Sequence, residues 1–230
     1  MSLSVVILAA GKGTRMFSEQ PKVLHKLADQ PMLQYVIDIA NELNPKNTNV
    51  IVGYKAKEVK HALTHEKVNW ILQEKQLGTG DAVKYAIPNL TGEQTLILYG
   101  DVPLVKINEL KKLIKIGEKG LSILTFNKIN PTGYGRIVRG RTGVEAIVEE
   151  KDCSDAQKEI TEINTGIMVA DTKYLINWLS LISNINSQKE YYLTDIVALA
   201  KKDNIEINTI EADSEITISG VNSKIELAKM

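Results

Sequence analysis

Short runs of apolar and β-branched residues alternate along the chain with segments whose apolar positions recur at helical spacing. Residues 4–8, 49–52 and 95–99 form such runs, and their near-continuous Val, Ile and Leu content reads as buried parallel strands. Between the first two, Met32, Leu33, Val36, Ile37, Ala40 and Leu43 fall on one helical face. That spacing predicts a strand-helix-strand unit with a right-handed crossover. Residues 121–126 and 165–170 read as further strands. The stretch 135–150 alternates differently, between Pro131-Thr132-Gly133 and the charged residues after Lys151, and predicts a β-ribbon insertion. With no linker, repeat or low-complexity tract, the pattern predicts one domain over residues 1–230: an α/β sandwich on a mostly parallel sheet. Ligands of such sheets bind beyond the carboxyl ends of the strands.

The 28 basic and 28 acidic side chains cancel, which removes the electrostatic case for nucleic acid or a membrane surface as a partner and requires any phosphate recognition to be local. Cys153 is the only cysteine, so no intrachain disulfide can form. The N-terminus runs into a strand pattern without a charged leader, and the expected location is cytoplasmic.

The first strand ends in Leu8-Ala9-Ala10-Gly11-Lys12-Gly13-Thr14-Arg15-Met16, with Pro21-Lys22 soon after. Two glycines let the backbone approach a polyphosphate, and Arg15 and Lys22 add positive charge; a plain tight turn would explain the glycines alone. The dinucleotide fingerprint needs a glycine where Met16 stands, and a P-loop needs one at Val6, so neither fits. Further on, Gln73 precedes Leu77-Gly78-Thr79-Gly80-Asp81. Its amide can donate and accept, which suits a uracil edge, while Thr79 or Asp81 can cap the next helix. Tyr99-Gly100-Asp101-Val102-Pro103 follows a strand, so Asp101 emerges at a carboxyl end, as a magnesium ligand or simply as a turn former. His61 and His65 lie a helical turn apart, but Ala62 stands where a zinc protease motif needs glutamate, and a solvated helix face accounts for them. Cys153 sits in a polar stretch and reads as incidental.

The first of these segments resembles the signature of the sugar-phosphate nucleotidyltransferases, Leu-Ala-Ala-Gly-x-Gly-Thr-Arg-Met followed by Pro-Lys. The resemblance implies a Rossmann-like nucleotide-diphospho-sugar transferase fold. It also implies a triphosphate held by Leu8, Ala9, Ala10 and Gly11, with Arg15 and Lys22 neutralising the departing pyrophosphate. By the same resemblance Gln73, Gly78 and Thr79 read uracil, and Tyr99, Gly100 and Asp101 line the substrate site. Asp101 pairs with Asn222 of Gly220-Val221-Asn222 to hold Mg2+. Gly135 of Pro131-Thr132-Gly133-Tyr134-Gly135-Arg136-Ile137, Glu149, and Asn164 of Glu162-Ile163-Asn164-Thr165-Gly166 meet the acceptor sugar, whose hydroxyl and acetamido groups need mixed donors and acceptors. The segment Glu190-Tyr191-Tyr192-Leu193-Thr194-Asp195 also matches and is assigned only to the pocket wall.

These matches run from Leu8 to Asn222 in one order. Together they resemble the uridylyltransferase domains of the bacterial bifunctional N-acetylglucosamine-1-phosphate uridylyltransferases/glucosamine-1-phosphate acetyltransferases. The implied reaction joins UMP from UTP to N-acetylglucosamine 1-phosphate, giving UDP-N-acetylglucosamine, a cell-envelope precursor, and pyrophosphate. Asp101, Arg15 and Lys22 would carry it, with no general base because the sugar phosphate is already ionised near neutral pH. In those enzymes a left-handed β-helix follows, carrying acetyl transfer and trimer contacts. No such repeats are present here, so the expectation is an isolated, monomeric catalytic domain. The rival readings are transfer to another sugar phosphate or from another nucleotide, and a nucleotide-sugar-binding regulatory module that does not turn over.

Overall fold

The computed structural model describes residues 2–230. Its strands are β1 Leu3–Ala9, β2 Lys26–Leu27, β3 Gln30–Pro31, β4 Asn47–Val52, β5 Asn69–Leu72, β6 Gln94–Tyr99, β7 Leu121–Asn127, β8 Arg136–Gly140, β9 Gly143–Val148, β10 Glu162–Asp171 and β11 Ile207–Glu211. The α-helices are α1 Met32–Glu42, α2 Ala56–Ala62, α3 Thr79–Lys84, α4 Ile107–Ile116, α5 Asp155–Lys158, α6 Thr172–Leu181, α7 Asp195–Lys202, α8 Glu215–Ile218 and α9 Lys224–Ala228.

The main sheet runs β11-β7-β10-β6-β1-β4-β5. β1 is central and parallel to both neighbours, with Ile7 opposite Val50 of β4 and Leu98 of β6. β5 continues the parallel set beyond β4, and β11 lies parallel to β7. β10 alone on this path runs the other way, antiparallel to β6 and to β7. The expected mostly parallel sheet is therefore present, and the run at 165–170 belongs to a longer strand of reversed direction. The predicted ribbon is β8 and β9, antiparallel to each other and joined to β10 where Arg136 faces Ile163.

Every residue of β1 is buried, because helices cover both faces of the sheet. Its alternate side chains divide between two cores. Val5, Ile7 and Ala9 pack with Leu33, Val36 and Ile37 of α1 and Leu110 and Leu113 of α4. Val6 and Leu8 pack with Val83 of α3, Trp178 of α6 and Val197 of α7. The apolar stripe predicted around Met32 becomes α1, which stops where Asn44 takes a left-handed backbone (φ 50°) before Pro45. No helix among the described residues is long and apolar enough to cross a membrane.

Candidate active site

Because β1, β4, β5 and β6 are parallel, their carboxyl ends reach one edge of the sheet, and the reversed β10 brings its beginning there. A cleft of about 940 Å³ opens over that edge. Of the residues singled out in the sequence, Leu8, Ala9, Ala10, Gly11, Arg15, Lys22, Gln73, Gly78, Thr79, Tyr99, Asp101 and Asn222 line it. Gly100, Gly135, Glu149 and Asn164 do not. Gly100 lies beneath the floor, its N–H donating to the Leu8 carbonyl at 2.9 Å.

The turn after β1 is shaped around Lys22. Gly13 has φ +62°, and a Cβ there would fall 2.5 Å from Cβ of Lys22 and 3.2 Å from its Cγ and Cδ. The lysine stem therefore lies along the glycine loop. Its Nζ reaches Oδ2 of Asp101 at 2.5 Å and Oδ1 of Asn222 at 3.2 Å, so the two oxygens converge on one cation. Both members of the Lys22–Asp101 pair are largely withdrawn from solvent, with side chains 15% and 13% exposed. The strap carrying Asn222 is fixed by its backbone. Val221 N–H donates to the Asp101 carbonyl at 2.9 Å, and the Val221 side chain is buried with Met16 of the turn after β1 and Met32. Glu226 Oε2 accepts from the Asn222 and Ser223 N–H groups at 2.6 and 3.1 Å, while the Ser223 hydroxyl accepts from Glu226 N–H to cap α9. Of this role for Glu226 only the Ser-x-x-Glu spacing of a capping box, Ser223 to Glu226, was visible in the sequence.

At the other end of the cleft, Gln73 is buried and its amide donates to Asp81 Oδ2 at 2.7 Å and to the Gly78 carbonyl at 3.3 Å. With a carboxylate as partner only the NH2 can face it, so what the side chain has left to offer a ligand is its carbonyl oxygen. The helix cap expected of Thr79 or Asp81 does not form. Asp81 is drawn to Gln73, and Thr79 Oγ1 accepts from Leu193 N–H at 3.1 Å. Gly78 has φ +119°, and a Cβ there would lie 2.5 Å from the Tyr191 carbonyl oxygen. The segment around residue 191 thus clamps this turn, with Tyr191 N–H bonding to Leu77 and Gly80 N–H bonding to Tyr191, each at 2.8 Å.

Gly135, Glu149 and Asn164 gather beyond Tyr99. Asn164 N–H donates to the Gly135 carbonyl at 2.8 Å, and a Cβ on Gly135 would lie 3.5 Å from Glu149 Oε2. The Asn164 side-chain oxygen accepts from Gly166 N–H at 3.0 Å, leaving its NH2 without a partner among the described residues. Burial pushes the Glu149 carboxyl up from its ordinary pKa; a hydrogen bond from the Thr194 hydroxyl, at 2.9 Å, works against this, and the charges of Asp195, Asp152 and Glu190 add to it. Burial also raises the Tyr99 hydroxyl, helped by the charges of Glu149 and Asp101 and opposed by Thr79. Arg136, 1% exposed, holds the loop before β8 through the Tyr134 carbonyl and Glu150 Oε2, the latter at 2.7 Å. His61 closes α2 near its end at Ala62, whereas His65 lies beyond the helix and meets Gln34 and Glu66, so the two do not share a helical face.

The chain thus carries a doubly covered, mostly parallel sheet with a glycine turn after its first strand and the Lys22–Asp101–Asn222 cluster beside it. Residues 5–141, more than half of the chain, match the model of the MobA-like NTP transferase domain, and the chain belongs to that family. Among solved structures it is similar to a UDP-glucose pyrophosphorylase complexed with UDP-glucose (TM-score 0.77, 17% identity, 95% of this chain and 94% of that one). It is also similar to a Bacillus anthracis protein described as a glucose-1-phosphate thymidylyltransferase (TM-score 0.75, 16% identity, 99% and 93%). A nucleotidyl transferase from Methanothermobacter matches as well (TM-score 0.71, 17% identity, 99% and 95%). At these identities the likeness is one of fold.

Proposed function

We propose that this chain transfers UMP from UTP to N-acetylglucosamine 1-phosphate, releasing pyrophosphate and giving UDP-N-acetylglucosamine, with Mg2+ held by Asp101 and Asn222. The observation that carries the reading is the convergence of the Asp101 and Asn222 oxygens on one cation beside the glycine turn. Magnesium asks for a few hard oxygens from protein and takes the rest from phosphates and water, and an aspartate with an amide oxygen suits it. When bound, it supplies charge neutralisation between two anionic reactants.

The remaining work falls to the chain's own groups. The Leu8–Gly11 backbone supports the triphosphate, and Arg15 and Lys22 offset charge on the departing pyrophosphate. Positioning and charge compensation dominate, because a sugar phosphate oxygen is already an adequate nucleophile for in-line attack on the α-phosphorus. Base choice follows from Gln73. Its free carbonyl oxygen accepts the N3–H of uracil, whereas cytosine presents an acceptor at that position and is refused. The sugar is the least constrained part. Gly135, Glu149 and the Asn164 amide are the partners for its hydroxyl and acetamido groups, and the likeness to a protein holding UDP-glucose makes glucose 1-phosphate the competitor to test.

The test is Mg2+-dependent pyrophosphate release from UTP with N-acetylglucosamine 1-phosphate, repeated with glucose 1-phosphate and with CTP or TTP. Fastest release with UTP and the N-acetylated sugar is expected. Fastest release with another pair would keep nucleotidyl transfer and overturn the substrates. Folded protein that binds UDP-N-acetylglucosamine without any release would overturn the enzyme reading in favour of a sensor.

A further inference from the structure

The ammonium of Lys22 occupies the point on which the two magnesium-ligand candidates converge. Its Nζ lies 2.5 Å from Asp101 Oδ2 and 3.2 Å from Asn222 Oδ1, distances at which a second cation cannot share the same oxygens. The arrangement has an electrostatic cause. Asp101 is 13% exposed, and a carboxylate so withdrawn from water needs a counter-charge whenever no ligand provides one. Lys22 is the cation within reach, and its stem is already laid against Gly13 of the phosphate turn. Gly13 meets that stem at Cβ, Cγ and Cδ, so the bonds beyond Cδ are the ones that can swing the ammonium from Asp101 toward the turn.

We infer, building on the function proposed above, that Lys22 is the built-in counter-ion of the Asp101–Asn222 site and excludes a divalent metal from it until nucleotide phosphates draw the lysine away. Metal arriving first would have to expel the ammonium with no phosphate to receive it, since Glu226 of the same cleft is held by the Asn222 and Ser223 N–H groups and Glu215 by Lys128, leaving like charges close together in a partly desolvated cleft. Metal arriving with a triphosphate meets no such opposition, since the phosphates receive Lys22 and the freed oxygens receive the metal. Metal and nucleotide affinities are thereby coupled, and the coupling must be reciprocal. The lysine thus has two stations, one at Asp101 in the empty protein and one at the phosphates during transfer.

The inference is tested on nucleotide-free protein, using Mn2+ as an oxygen-preferring paramagnetic probe whose free fraction is read by electron paramagnetic resonance. Wild type is compared with Lys22→Met, which keeps the stem and removes the charge, and with Lys22→Gln should the first variant fail to fold by thermal melt. Mn2+ binding tighter than wild type by about tenfold or more is expected, the scale of effect that removing one member of a close charge pair produces. Adding Asp101→Asn to Lys22→Met should abolish the gain, which ties it to this site. Equal or weaker Mn2+ binding by both uncharged variants would overturn the inference, as would a gain that survives Asp101→Asn. Because no arm reads turnover, failure here leaves the pyrophosphate-release test of the reaction standing, and failure of that test leaves the ion competition measurable.

Discussion

Replacing Gly11 by alanine separates what the protein needs from what a ligand needs. The backbone at Gly11 is outside the left-handed region, and an added Cβ would meet no protein atom within 4 Å. Folding should therefore tolerate the methyl group, and the lost freedom of the unfolded chain should add about 0.4–1 kcal/mol of stability. For a chain of this size that is a rise in Tm of about 1–4 °C. If phosphates rest on the turn, the same methyl stands where they must go, and overpacking of that kind costs about 1–3 kcal/mol. UTP affinity should fall by about 5- to 150-fold. Calorimetry supplies both numbers, a melt without ligand and a UTP titration without sugar. Unchanged UTP affinity would refute the assignment of the turn to phosphate, and a large loss of Tm would refute the claim that the space is free. Gly78→Ala gives the opposite pattern. Its backbone has φ +119° and the methyl would strike the Tyr191 carbonyl, so the melt itself should drop by several degrees, for a combined strain of about 2–6 kcal/mol.

Two further variants probe the supports of the site. Glu226→Ala removes the acceptor of the Asn222 N–H and should weaken metal affinity in the presence of UTP by about tenfold, whereas Ser223→Ala loses only the helix cap, about 1 kcal/mol, and should leave that affinity near normal; equal effects of the two would mean that Glu226 acts only through α9. Glu149 has a pKa raised by burial above its ordinary 4.5, so the folded protein holds this proton more tightly than the unfolded chain does. Stability from this group is therefore lost as pH rises from the ordinary value through the raised one. Glu149→Gln should gain in Tm relative to wild type as pH rises above the ordinary carboxylate value of 4.5, and a difference that stays flat with pH would refute the burial argument.

Much of this architecture was legible because burial on both faces writes itself into composition. β1, β4 and β6 carry the apolar runs Val5-Val6-Ile7-Leu8, Val50-Ile51-Val52 and Leu96-Ile97-Leu98 and were readable as strands, as was the stripe that makes α1. β5 and β11 were not, because these edge strands are short and mixed in polarity, Asn69-Trp70-Ile71-Leu72 and Ile207 to Glu211. Nor was the direction of β10, since periodicity carries no sign and only the pairing with β6 and β7 fixes it. At the site, glycine spacing announced the turn that carries Lys22, and a strand-end position announced Asp101. The commitments of polar atoms were hidden. That Asp81 takes the Gln73 donor, that Thr79 serves Leu193 rather than capping α3, and that Glu226 holds Asn222 are consequences of which groups the fold brings within 3 Å or so, and sequence distance conceals them.

Asp101 and Asn222 are far apart in the chain, yet Val221 donates its N–H to the Asp101 carbonyl and Lys22 reaches across to Asn222, so the first and last tenths of the polypeptide meet at one point. Such closure is slow to find and is made late, because a contact between distant positions must await the segments between them. During synthesis the sheet centred on β1 can begin to order while the strap that completes the cation position is still unmade. A nascent chain therefore passes through a stage at which the central sheet is in place but Asn222, and Val221 which packs on Met16 of the turn after β1, are not. The Lys22–Asp101–Asn222 cluster is whole only when the strap closes.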